Sequence, residues 1–246
     1  MKNLNEFIIE SLHTKYTVQP KNYNELLRIV NSTLKQGKYD LNFIDTSEIT
    51  DMSMLFAGNK CDFDVSNWDV SKVTNMQDMF VGCVNFTGKG LENWDVSNVK
   101  DMSYMFACCE KFNCDLSNWD VSNVTNMSHM FFYCENFDIN CFKSWDVSNV
   151  ENTTYMFYNC KNFNCDLSNW DVSNVTDMTS MFAFCNKFDC DLSKWDVSNV
   201  TCMYFMFGRC KQFNYDLSHW NISKIKNMKC MFKGCNRLTI PNWYKK

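Results

Sequence analysis

Apolar residues recur along this chain at a fixed long interval. Trp68, Trp94, Trp119, Trp145, Trp170, Trp195 and Trp220 lie 26, 25, 26, 25, 25 and 25 residues apart, and Ile44 takes the same place in an earlier degenerate copy, IDTSEITDMSMLF. Inside one interval the pattern changes period. The run Leu167-Ser168-Asn169-Trp170-Asp171-Val172 sets Trp and Val two apart with Asp between them. That alternation fits a short strand with Trp and Val inward and Asp outward. Val175, Met178, Met181, Phe182 and Cys185 follow at steps of 3, 3, 1 and 3, which fits one face of a short helix. Ser173, Asn174 and Thr176 offer capping side chains between the halves, and Phe188 and Asp191 turn the chain back.

The pattern predicts an α/β repeat solenoid over residues 41–246, about eight coils, each with one short parallel strand and one short helix. A single coil cannot bury its apolar side; stacked copies bury Trp on Trp, Met on Met and Phe on Phe. Paired strands need about 4.8 Å per coil and packed helices about 8–10 Å, so the stack is expected to curve with its strands on the concave side. The two 26-residue spacings place one extra residue in each of the turns 86–93 and 137–144. Residues 1–40 read as a helical N-terminal cap, with Leu26, Leu27, Ile29, Val30 and Leu34 at mainly helical spacing and Gly37 as the stop. The C-terminal end has no comparable helix: Trp243 imitates another coil, and Pro241, Lys245 and Lys246 blunt the edge.

Composition narrows the function. A net charge of −4 argues against a nucleic-acid or membrane-surface binder. The apolar run Phe7-Ile8-Ile9 is too short for a secretion signal and is flanked by Glu6 and Glu10. No stretch approaches a membrane-spanning length. Those features predict a cytoplasmic chain whose fifteen cysteines, an odd number, stay reduced. His13, His129 and His219 are scattered, and neither a glycine-rich phosphate loop nor G-x-S-x-G occurs. No enzyme activity, catalytic residue or cofactor is expected. Without a C-x-x-C pair, no metal site is expected either.

Two sets of residues are candidates for binding a protein partner. One is the acidic row Asp69, Asp95, Asp120, Asp146, Asp171 and Asp196, with Asp45 before it and Asn221 after it. It is either a strip for a cationic partner or a set of hydrogen-bond acceptors serving each coil. The other lies in columns that vary from coil to coil, ten, thirteen and fourteen residues after each Trp. These hold the aromatic group Tyr104, Phe132, Tyr133, Tyr155, Tyr158 and Phe184, with His129 among them. Aromatic side chains suit interface hot spots, and partial burial between helices is the competing reading. The cysteine row Cys83, Cys109, Cys134, Cys160, Cys185, Cys210 and Cys235 reads as small buried hydrophobes. From Asn221 onward the chain holds Lys224, Lys226, Lys229, Lys233, Arg237, Lys245 and Lys246 and no acid, so end-on docking, self-association through that end, or a touch of nucleic acid are outcomes it allows beside a solvated cap. The expected partner is a protein, not a small molecule, a nucleic acid or a membrane. The other reading is a structural or adhesive component of a cell-surface or virion assembly.

From about Ile44 to Leu238 these motifs resemble the BspA-like leucine-rich-repeat family, in its subgroup with the repeat NWDVSNVTNMSxMFxxC. The resemblance implies a leucine-rich-repeat-like solenoid. It also implies surface or adhesion roles in bacteria, with members carried by phages and viruses, and supplies no catalytic residues. The surface members carry a leader, and none is expected here from the reading of residues 1–16.

Overall fold

The computed structural model describes residues 17–139 and 142–244. Successive repeats lie in register upon one another. Parallel bridges join Asp51 to Asn75, then Asn75 to Asp101, Asn126, Asn152, Asp177, Cys202 and Asn227 in turn. Each bridge sits seven residues after the Trp position of its coil.

One coil is a closed run of tight turns. In residues 116–137, backbone N–H groups donate three residues back, from Trp119 to Leu116, Val124 to Val121, Met130 to Met127, Phe132 to His129, Cys134 to Phe131 and Phe137 to Cys134. The apolar steps of three are therefore the corners of turns. Both corner residues are buried in five of those six turns; only His129–Phe132 stays partly exposed. This corrects the expected helix: no helix exists in the Val–Cys segment of any described repeat. The expected strand over Trp-Asp-Val is also displaced, since the bridge that recurs from coil to coil is at the Asn, Asp or, once, Cys six residues beyond that Asp. With no row of helices, the spacing mismatch that predicts curvature is absent.

The reason lies in where the N–H groups go. A ten-residue helix, marginal by itself, would use about six of them internally, leaving the first four unpaired, and send none to the next coil. Here alternate groups reach the next coil: Met127, His129, Phe131 and Tyr133 donate to the carbonyls of Asn152, Thr154, Met156 and Tyr158 at 2.8–3.0 Å. The same four bonds recur where Met76, Asp78, Phe80 and Gly82 meet Asp101, Ser103, Met105 and Ala107. All four run the same way along the stack.

Side chains bond in the opposite direction. Each Trp indole N–H donates to a carbonyl of the preceding coil, as Trp119 does to Leu91 at 2.8 Å and Trp170 to Phe142 at 3.0 Å. Each Cys thiol does likewise, Cys134 to Phe106 and Cys185 to Phe157. Trp119, Trp145, Trp170 and Trp195 stack at 6.5 Å between ring centres, within 2° of parallel. Phe80, Phe106, Phe131, Phe157, Phe182 and Phe207 form a second buried column at 5.5–5.8 Å. Such ring pairs add about 0.5–1.5 kcal/mol each beyond the area they bury.

The turns require a left-handed backbone at two corners per coil. Positive φ is needed at the third residue of a type II turn. Thirteen non-glycine residues have it, among them His129 at 58° and Tyr133 at 60°. Each costs about 1–2 kcal/mol, offset by bonds to the next coil of about 1 kcal/mol each. The extra residue of the loop at 86–93 is absorbed by Gly90 (φ 93°) and a short 3-10 turn at Leu91–Asn93. A side chain on Gly90 would meet Ser66 Cβ at 2.4 Å.

At the N-terminal side, α1 (Tyr23–Lys35) covers the first coil. Asn22 caps it by accepting from Glu25 N–H, and Gly37 ends it at φ 72°. Leu26, Val30 and Leu34 are buried, and the Tyr23 hydroxyl donates to the Ser53 carbonyl. The first part of the expected cap, residues 1–16, lies outside the described residues.

Two outcomes test this account. Trp170→Phe removes one indole N–H and part of a stacked ring, and is expected to cost about 2 kcal/mol in a urea titration followed by circular dichroism; an unchanged midpoint would contradict the column. Ser180 is buried at φ 53°. Ser180→Gly is expected to stabilise by up to about 1 kcal/mol, whereas Ser180→Val, branched at Cβ, should cost more than about 2 kcal/mol.

Candidate functional site

The columns ten and fourteen residues after each Trp are the left-handed corners of the turns. They hold Asp78, Tyr104, His129, Tyr155, Ser180, Phe205 and Cys230, and Gly82, Cys108, Tyr133, Asn159, Phe184, Arg209 and Gly234. They are thus not left free by the coil, as the sequence suggested: the backbone there is fully prescribed, and only the side chain varies.

The turns bring the aromatic candidates into one continuous face. Tyr104 stacks on His129 at 4.1 Å, and His129 on Tyr155 at 4.7 Å. Phe132 touches His129, Tyr133, Tyr155 and Tyr158. Tyr133 and Tyr155 each meet Tyr158, which meets Phe184 edge-on at 5.3 Å. Phe205 and Tyr204 continue the row, and the Arg209 guanidinium lies over Phe184 at 5.7 Å. Tyr204 and Arg209 escaped the sequence reading, and Phe205, ten residues after Trp195 and so in a variable column, was left out of the aromatic group.

These rings are neither core nor freely solvated. Tyr133 and Tyr204 are 39% and 38% exposed, and the others are partly buried. Burial, with Asp78 beside it, raises the Tyr104 phenol; burial and Tyr133 raise that of Tyr158. His129 is held between two Tyr rings, and its Nδ1 has no hydrogen-bond partner. Desolvation lowers its pKa to about 4, so it is neutral at pH 7.

The acidic row lies at a different corner. Asp69, Asp95, Asp120, Asp146, Asp171 and Asp196 are all exposed. Each accepts from the backbone N–H of the Ser two residues on, as Asp120 does from Ser122 at 3.0 Å and Asp171 from Ser173 at 3.0 Å. The Ser hydroxyl and N–H hold the carboxyls of Asp120, Asp146 and Asp196 below the usual range. One oxygen of each therefore serves its own coil, and the other faces solvent.

Sequence reasoning missed that this turn occurs up to three times per coil. Ser117, Ser122 and Ser128 N–H donate to Asp115, Asp120 and Asn126. The signal was the recurring D/N-x-S, the spacing of a side-chain-closed turn. A ladder of Asn amides accompanies it: Asn98, Asn123, Asn149, Asn174 and Asn199 donate to Ser carbonyls one coil back.

The cysteine row is sealed. Burial pushes Cys83 and Cys235 up to about 12 and Cys109, Cys134, Cys160, Cys185 and Cys210 well above the ordinary thiol value. Among the described residues no three His, Cys, Asp or Glu side chains are grouped so as to hold a metal ion, and no helix is long and apolar enough to cross a membrane.

The buried imidazole makes stability depend on pH. An unfolded His titrates near 6.5 and His129 in the fold near 4, so between these values the unfolded chain takes a proton that the folded chain refuses. Stability is full above pH 6.5 and falls as pH drops to about 4. The His129 share is about 1–2 kcal/mol, reduced from the full shift because the ring is partly solvated. Melting curves at pH 7.5, 5.5 and 4.0 should show a smaller acid loss for His129→Phe than for the unaltered chain. Identical losses would contradict the assignment.

The model of one family, described as "Mycoplasma protein of unknown function, DUF285", matches residues 26–142 and again 138–243. No curated protein and no solved structure matches the chain. The two matches together span most of α1 and the stacked coils, and the chain belongs to the DUF285 family.

Proposed function

We propose that this chain is a non-catalytic repeat solenoid of the BspA-like, leucine-rich-repeat-like kind, which captures a protein partner on its aromatic face. The observation that carries the reading is the continuous contact from Tyr104 through His129, Phe132, Tyr133, Tyr155 and Tyr158 to Phe184, on side chains that stay partly exposed. A coil needs the left-handed corner, but it needs no aromatic ring there: Ser180, Asn159 and Gly82 occupy the same columns. Rings at these corners bury part of their area against each other and keep the rest for a partner. Stacking also removes their rotamer freedom before binding, which lowers the entropy cost of association.

The acidic row is the weaker candidate. A carboxylate that closes its own turn explains its presence in every coil without a partner.

Tyr133→Ala combined with Tyr158→Ala is expected to weaken a complex captured from the native source by more than about 1 kcal/mol. The melting temperature should change little, since both rings are partly solvated. Equal affinity of the double variant, measured by calorimetry against the captured partner, would move the binding surface off this face.

A further inference from the structure

The aromatic row has an oblique course and charged ends. In the Trp94 coil only the tenth column after Trp carries a ring, Tyr104, with Ala107 and Cys108 in the other two. The next two coils carry rings on both sides, Phe132 and Tyr133 beside His129, and Tyr158 beside Tyr155. In the Trp170 coil only the fourteenth column does, at Phe184, with Ser180 and Ala183 in the other two. The band therefore crosses from one column to the other within three coils, and Phe205 adjoins its far end. One coil before Tyr104 the tenth column holds Asp78. One coil beyond Phe184 the fourteenth holds Arg209, exposed and lying over the Phe184 ring at 5.7 Å. Asp101 and Glu110 add acid at the Asp78 end, near Asp78 and Cys108. Between the ends His129 is neutral at pH 7, and Glu135 is paired with Lys161.

We propose that an amphipathic α-helix of another protein lies along this band, its acidic first turn over Arg209 and its basic last turn over Asp78. The inference rests on the aromatic face as the binding surface and adds what occupies it. Coils repeat about every 4.8 Å and helix turns about every 5.4 Å. A helix tilted by about 27° from the stack axis therefore keeps one turn over each coil, and the oblique row supplies such a tilt. The coil steps from Asp78 to Arg209 match about five turns, or about 18 residues. Apolar side chains at i, i+3, i+4 and i+7 then meet the rings. Helices favour acids in the first turn and bases in the last, so the charge order of the band sets the direction.

An extended strand is the poorer occupant. It repeats each face about every 6.7 Å and needs a tilt of about 45°, which carries it off a band two columns wide. A second copy of the chain fits less well too. Its rings already stack at 4.1 and 4.7 Å and leave no slot for a like row to enter, whereas the aliphatic side chains of a helix adapt to the ring edges.

The probe is a fluorescein-labelled eighteen-residue peptide with Leu at helical spacing, Glu in its first turn and Lys in its last, titrated into the 246-residue chain by anisotropy. One control exchanges the Glu and Lys ends, and a second alternates Val and Thr between the same ends. The first peptide should bind and gain helical circular dichroism in the complex. Exchanging its ends should weaken it at least fivefold, and Arg209→Glu with Asp78→Lys should reverse that preference. Tyr133→Ala with Tyr158→Ala should also weaken it at least fivefold. The peptide exchange needs no altered protein, so the test stands even where a variant fails to fold. No binding of the helical peptide, tighter binding of the Val–Thr peptide, indifference to charge order, or a dimer that the two Tyr changes break would each overturn the proposal. The two readings fail separately. A native partner released by Tyr133→Ala with Tyr158→Ala, with no binding of the helical peptide, overturns the helix alone; a native partner still held by that double variant overturns both.

Discussion

A backbone N–H enclosed in a stack of repeats can reach a carbonyl of its own coil or one of the next. Residues 127–134 divide theirs evenly. Met130, Phe132 and Cys134 close turns three residues back, while Met127, His129, Phe131 and Tyr133 bond forward to the following coil. Everything else in the fold adapts to that division. The left-handed corners exist because the chain must turn and still aim every second N–H along the stack. The buried columns exist because the forward bonds hold identical positions one above another, so Phe meets Phe and Trp meets Trp. The Trp indoles and Cys thiols of the neighbouring coil add a second donor to carbonyls that already accept a turn N–H, as at Leu91 and Phe106.

That accounting explains residues that hydrophobicity alone does not. A Cys at the Phe–Cys corner is small enough to fit and still donates: Cys185 reaches the Phe157 carbonyl at 2.9 Å. Ala would fill the corner without donating. The same holds for Trp, whose indole N–H distinguishes it from Phe in that column. Charge has a lesser part. The ion pairs Lys72–Glu48 and Lys161–Glu135 link neighbouring coils, but their exposure limits each to less than about 1 kcal/mol.

Stacked repeats, their register and the buried columns were all legible in the 25-residue interval. The path of the chain within a coil was not. Apolar residues at steps of three and four mark a helical face, and they equally mark the corners of consecutive i to i+3 turns; the steps alone cannot separate the two. The separating signal sat in the columns set aside as variable. Gly82 and Gly234 share one with Asn159, and Asp78, His129 and Ser180 share the other. Gly, Asn and Asp are the residue types that tolerate a left-handed backbone best. The D/N-x-S triplets were a second such signal, since Asx turns compete with helix for the same N–H groups. Proximity within the aromatic group was anticipated from adjacency of coils, yet the sandwich of His129 between Tyr104 and Tyr155 depended on corner geometry that the helix reading did not contain.

A stack built this way ties its chemistry to position. Its corners fix the backbone and leave the side chain to vary from coil to coil, as His129, Tyr155 and Ser180 do in one column. Polar bonding along the axis, by contrast, cannot be edited locally, because every coil receives forward bonds on one face and gives them on the other. The first face must therefore be covered by something that supplies donors, and the Tyr23 hydroxyl on α1 does so at Ser53.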